Sequence, residues 1–181
     1  MRLPKLKPPP YWRGVLILPL LLLAGVLQAD APEEDEIKAG FILNFMKYTE
    51  WPAAASGSGE LRVCGISAQP LSGKLAQLQG RTALGREIKV LAPVRQENWR
   101  DCHVLFVPAS EEARLAPLLR SLGQSAVLTI SDCPEFTEAG GMIGLKQRGG
   151  RIRFDINLGA ARRTGLNLSS QVLKLADEVK Q

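Results

Sequence analysis

"CHVLFVPASEEARLAPLLRSLGQSAVLTISD" runs from Cys102 to Asp132. Its first end, Cys102–Ser110, is nearly all apolar, its other end, Ser125–Asp132, reads as a second strand, and Glu111–Leu122 between them reads as a helix. A strand that is apolar almost throughout is one covered on both faces. Strand, helix, strand in that order indicates a parallel sheet with helices packed on it. Pro117, inside the helical run, predicts a kink or a late start, because proline has no N–H to donate to the helix.

The same alternation continues outward. "LRVCGIS" (Leu61–Ser67) and "REIKVLAPV" (Arg86–Val94) read as strands on either side of the helix "PLSGKLAQL" (Pro70–Leu78), where Pro70 suits a first turn. Downstream, "MIGLKQ" and "RIRFDINL" flank a turn at Arg148–Gly150 and form a hairpin. In "RIRFDINL", Ile152, Phe154, Ile156 and Leu158 point one way, and Arg151, Arg153, Asp155 and Asn157 the other. That is a half-buried strand with a polar face. The expected fold class is α/β: a single-domain sandwich with a mostly parallel sheet of about six strands, a C-terminal antiparallel hairpin and helices on both faces. "EEDEIKAGFILNFMKYTEW" adds an N-terminal amphipathic helix with Ile37, Phe41, Phe45 and Tyr48 along one stripe, ended by Trp51–Pro52. Acids crowd its first turn, where the helix dipole favours them. "GAARRTG" is a short helix stopped by Gly165, with Arg162 and Arg163 near its end. Ser169 caps a final helix whose apolar face is Val172, Leu173, Ala176 and Val179.

Residues 1–29 read as a secretory signal peptide. Arg2, Lys5, Lys7 and Arg13 precede the apolar run Val15–Leu27, and Ala29 stands at the expected cleavage position. A run of about 13 residues falls short of the roughly 20 that span a bilayer. The folded domain is therefore expected over residues 30–181, outside the cytoplasm. The leader also changes the charge. The whole chain has 23 basic and 18 acidic residues, and the leader holds four of the bases and none of the acids. The rest is near neutral, at about +1, so bulk charge gives nucleic-acid binding no support.

Chemistry-bearing residues are sparse. The only histidine, His103, adjoins Cys102, without the Cys-x-x-Cys or His-x-x-x-His spacing of a metal site. Neither a nucleophile elbow nor a glycine-rich phosphate loop is present, so no catalytic residue, metal or cofactor is assigned. Asp132, Glu135 and Glu138 share one loop, and loops at the carboxyl ends of parallel strands are where α/β sheets take ligands. Exported cysteines tend to pair. Cys64 and Cys102 stand in two strands that are candidate neighbours, and their bridge closes a loop of about 38 residues. The alternative is three reduced, buried thiols. Cys133 is left over, as a free thiol or as an intermolecular partner in a homodimer. The polar face of "RIRFDINL" (Arg151, Arg153), with Arg162, Arg163, Asn167 and Ser169, is the candidate docking surface.

"KAGFILNFMKYTEWP", "CGIS", "CHVLFVPAS", "VLTISD", "GGMIGL", "RIRFDINLGAA" and "GLNLSSQVLKLA", in this order from about Ile37 to Val179, resemble the YfiR-like family of bacterial periplasmic proteins. The resemblance implies a compact α/β domain that binds and represses the periplasmic sensor region of an inner-membrane diguanylate cyclase without catalysis. It further implies sequestration by an outer-membrane-associated lipoprotein and a link between redox state and repression. Cys64 and Cys102 match the positions of a family disulfide; Cys133 has no second partner in this chain. Two other classes remain: a periplasmic small-ligand-binding subunit of another membrane sensor, and an enzyme such as a hydrolase or thiol oxidoreductase.

Overall fold

The computed structural model describes residues 33–55, 59–67 and 70–181. The expected signal peptide, residues 1–29, lies outside the described residues. The helices are α1 (Glu34–Lys47), α2 (Pro70–Leu75), α3 (Leu115–Leu122), α4 (Leu158–Arg163) and α5 (Ser170–Leu173). The strands are β1 (Thr49–Glu50), β2 (Glu60–Gly65), β3 (Thr82–Ala83), β4 (Arg86–Leu91), β5 (Val104–Val107), β6 (Leu128–Ser131), β7 (Ile143–Arg148), β8 (Arg151–Asn157), β9 (Asn167–Leu168) and β10 (Glu178–Lys180).

Five parallel strands, in the order β7-β6-β5-β2-β4, form the middle of an eight-stranded sheet. β3 closes one edge antiparallel to β4. At the other edge β8 turns back along β7, and β10 lies parallel to β8. β1 and β9 form a separate two-stranded ribbon. The β7–β8 turn is Gly149–Gly150, at φ 56° and 70°. Two consecutive positive φ values match the twist of a tight hairpin, and glycine adopts them at least cost.

Side-chain alternation divides the core between the two faces of the sheet. Val104 and Phe106 of β5 join the cluster under α1, with Ile42, Leu43, Phe45, Met46, Leu61, Val63 and Phe154. Leu105 and Val107 join the cluster under α3, with Cys64, Trp99, Leu115, Leu118, Leu122 and Phe136. Each such buried side chain contributes roughly 1.5–3 kcal/mol relative to exposure. Pro117 is accommodated by a late start. A 3-10 segment covers Ala109–Arg114, and proline takes the third position of α3, where no intrahelical N–H is needed.

Three expectations are corrected. The sheet has eight strands, not about six; β3 and β10 are the additions. α1 does not bury the stripe Ile37, Phe41, Phe45 and Tyr48. Ile37 and Tyr48 are exposed, and of the four only Phe45 is fully buried. The run Phe41–Met46 is apolar at five of six positions, so two stripes compete. The winning one, with Ala39, Ile42, Leu43, Phe45 and Met46, draws Lys38 inward with it. The final helix ends at Leu173, and Val179 lies in a strand. The outer edge of β8 would otherwise leave a row of backbone groups unpaired. The chain end satisfies it: the Asp177 amide donates to the Phe154 carbonyl at 2.9 Å, and β10 continues the pairing.

Candidate docking face and the charged cleft beside it

The hairpin and β10 present one face to the core and leave the other open. In register, Lys146 sits opposite Arg153, Arg148 opposite Arg151, and Asp155 opposite Glu178. Period-2 alternation therefore places Lys146, Arg148, Arg151, Arg153, Asp155, Glu178 and Lys180 together on the outer face. The acids organise it. Asp155 takes Lys146 Nζ at 2.6 Å. Asp177 draws Lys146, Arg148 and Arg153 to 3.6, 3.8 and 3.7 Å. Lys180 pairs with Glu138, which holds that carboxyl below its usual range and raises the ammonium. The arginine ends stay in solvent, so their ion pairs contribute little stability and their donors remain available.

Beside this face, at the carboxyl ends of β6 and β7, lies a cleft of about 350 Å³ lined by α1, the loop after β6, β7 and β8. Asp132 leaves β6 and ties three elements. Its Oδ1 accepts the Ala109 amide at 2.7 Å, and its Oδ2 accepts Lys38 Nζ at 2.7 Å. Lys38 also reaches Glu34 at 2.8 Å. Burial works against the Lys38 ammonium, but its bonds to Asp132 and Glu34 together outweigh that and raise it. Sequence reasoning missed Lys38. It stands on a helix whose apolar face was misassigned, and no local pattern reveals a partner 94 residues away. Asn157 was placed on the polar face of its strand, but its long-range and capping bonds were missed. Its Oδ1 caps α4 through the Ala160 amide at 2.8 Å, while its Nδ2 donates to the Thr137 carbonyl at 2.9 Å and holds the loop down.

The six residues expected to dock a partner fall in different places. Arg151 and Arg153 lie on the open face. Arg162 and Arg163 form the last turn of α4, where Arg162 donates to Gln181 at 3.2 Å. Asn167 is on the β1–β9 ribbon and donates to Glu50 at 3.2 Å. Ser169 accepts the Gln171 amide and caps α5. The loop acids fare differently. Asp132 is structural, and Glu138 belongs to the edge of the face. Glu135 lines the cleft and is exposed.

Cys64 and Cys102 are bridged, with Cα atoms 6.0 Å apart. Cys133 is a free, buried thiol. Burial pushes it up, only partly opposed by its bond with Ser131, so it is a poor nucleophile at neutral pH.

His103 is locked as the neutral tautomer. Its Nδ1 accepts the Arg62 amide at 3.0 Å, which places the proton on Nε2; Nε2 donates to the Ala55 carbonyl at 3.0 Å and has the cationic Arg86 Nη2 2.9 Å away. A second proton on Nδ1 would face an N–H. Burial lowers its basicity first, opposed by the bond to Ala55, and the neighbouring Arg86 and Arg62 charges lower it further. A histidine whose folded pKa is depressed contributes stability that is present above the unfolded value, near 6.5, and lost as pH falls through the folded value. Urea midpoints are accordingly expected to fall progressively below about pH 6.5, and His103→Gln, which keeps an acceptor for the Arg62 amide, to flatten that fall. Identical acid limbs in both proteins would rule the histidine out as its source.

Among the described residues, no group of three or more His, Cys, Asp or Glu is arranged to hold a metal ion, and no helix is long and apolar enough to cross a membrane. The molecule is thus an α/β domain whose most distinctive surface is a charged sheet face beside a charged cleft. The chain belongs to the YfiR/HmsC-like family, whose model matches residues 35–177. It is also similar in fold to a crystal structure described as a conserved domain protein from Vibrio cholerae O1 biovar El Tor strain N16961, with a TM-score of 0.53 at 13% identity. That match covers 81% of this chain and 60% of the other.

Proposed function

We propose that this protein is a non-catalytic periplasmic regulator. It is exported through residues 1–29 and binds the periplasmic sensor region of an inner-membrane diguanylate cyclase. Binding represses the cyclase, lowers cyclic-di-GMP and so restrains biofilm formation. Family membership over residues 35–177 carries the reading. The open face of β7, β8 and β10 supports a docking role. Arg148, Arg151 and Arg153 project their ends into solvent there, and arginine is the side chain best suited to pair with carboxylates across an interface. An outer-membrane-associated lipoprotein would compete for the domain and relieve repression.

The test is intracellular cyclic-di-GMP in the native host after deletion of the gene, then restoration with and without residues 1–29. A rise on deletion that only the exported form reverses is the expected result; an unchanged level refutes repression of a cyclase. Restoration with Arg153→Glu assigns the surface. It reverses one charge beside Asp177 and is expected to weaken partner affinity at least tenfold while leaving the melting temperature within about 2 °C, since exposed charge changes have small effects on stability. Full repression by that variant would remove the β8 face as the docking surface.

A further inference from the structure

Arg62 is the one feature of the central strands that this function does not use. It alternates with Leu61 and Val63 along β2, so it projects on the same side as Cys64. Its backbone pairs with His103 in both directions. Its side chain is half-buried, and its Nε is sealed from solvent without a hydrogen-bond partner among the described residues. No carboxylate among the described residues forms an ion pair with it. Its charge acts on two basic neighbours, lowering both Arg86 and His103. A partly desolvated guanidinium without a counter-charge is unfavourable, and such groups are ordinarily paired.

Open space meets this unpaired charge on two sides. A cleft of about 280 Å³ is lined by Arg62, Arg100, Cys102 and His103, with Ala54, Ala55 and Ala126 as its small-residue walls. A second, of about 670 Å³, runs from Arg62 past Pro93 and Asn98 to Arg95. Asp101 is on the rim of both and is exposed. Arg100 is held in place by the Ser121 carbonyl, which its Nε reaches at 3.0 Å. Arg62 and Arg100 line the smaller cleft against one rim carboxylate, while Arg95 pairs with Glu97 at 3.8 Å; guanidinium forks match planar oxyanions bidentately.

We infer that Arg62 is the centre of an oxyanion-binding site that takes the phosphate or carboxylate group of a small solute. The wall of the site includes Cys102, so an occupied site stabilises the strand pair that the disulfide joins. The fold then responds to an anion in its surroundings through mass action on the folded state.

The test is a melting curve of the chain without residues 1–29, titrated with sodium phosphate and separately with sodium succinate, against sodium chloride at matched ionic strength. The expected result is a saturable rise of roughly 3–6 °C, at tenfold the dissociation constant, with at least one of the two oxyanions. The more effective probe distinguishes a phosphate from a carboxylate ligand. Arg62→Gln should fold with an unchanged or higher melting temperature in chloride, because it removes a like-charge contact, and should lose the oxyanion response. Arg95→Gln, at the far end of the larger cleft, should keep most of it. No rise with either oxyanion beyond chloride overturns the inference, as does an undiminished rise in Arg62→Gln. Neither outcome bears on repression of the cyclase, which the cyclic-di-GMP measurement reads separately.

Discussion

The variant Cys64→Ser/Cys102→Ser is expected to be less stable than the native chain by roughly 4 kcal/mol, the chain-entropy value for a cross-link over 38 residues. For a domain of this size that corresponds to a fall of roughly 8–16 °C in melting temperature. The bridge joins β2 to Cys102, two positions before β5 begins, and these two strands lie at the centre of the sheet. The penalty therefore falls on the folding of the whole sheet, not on a frayed edge. Both sulfurs are buried, so a mild reductant should act slowly on the native protein and faster near the transition. Thiol counting gives an independent check. The native oxidised chain should show no thiol reactive at neutral pH, because Cys133 is buried with its basicity raised. Denaturation without reductant should expose one thiol per chain, and with reductant three. A melting temperature unchanged by the double substitution would mean that the bridge contributes nothing. The link between reduction and lost repression would then fail with it.

The parallel sheet was legible because β5 is apolar on both faces and because strands alternate with helices along the chain. A run such as Val104–Val107 admits little except a doubly covered strand, whereas Thr129 and Ser131 put hydroxyls on one face of β6. The hairpin was legible because Gly149–Gly150 is a local signal. What was not legible depends on long-range competition. The choice between two apolar stripes on α1 is made by the sheet beneath it, not by the helix. The strand character of Glu178–Lys180 exists only because β8 offers an unpaired edge, while the local sequence "SSQVLKLADEV" satisfies helical spacing as well. The candidate site divides in the same way. Arg151 and Arg153 were found from period-2 alternation. The pairings of Lys38 and Asn157 were not legible, since their partners are Asp132 and Thr137, brought near only by the closed fold. Ser169 was assigned to docking as well as to capping; in the structure its hydroxyl is used as the cap.

Gly141→Ala tests the wall between the core and the cleft. A Cβ at position 141 would stand 2.2, 2.3 and 2.5 Å from three ring carbons of Phe136. Those distances are far inside van der Waals contact, and the ring cannot swing outward cheaply because Phe136 is almost wholly buried in the cluster beneath α3. Either the ring leaves its pocket or the Gly141 backbone lifts away from it. The expected cost is roughly 3 kcal/mol or more, at the upper end of overpacking penalties. Gly144→Ala is the matched control. Its added carbon would meet Phe136 Cβ and Thr137 Cγ2 at 3.6 Å, ordinary contact, and it should stay within about 0.5 kcal/mol of the native chain. Adding Phe136→Leu to Gly141→Ala removes the colliding ring atoms, so the double variant should be more stable than the sum of the two single effects predicts. Strict additivity, or a Gly141→Ala chain as stable as the native one, would mean that the ring does not occupy this position. The effect reaches beyond stability because Phe136 anchors the segment that carries Glu135 and Glu138 along the cleft and the edge of the open face. At temperatures well below its melting point, Gly141→Ala should therefore also weaken partner binding, whereas Gly144→Ala should not.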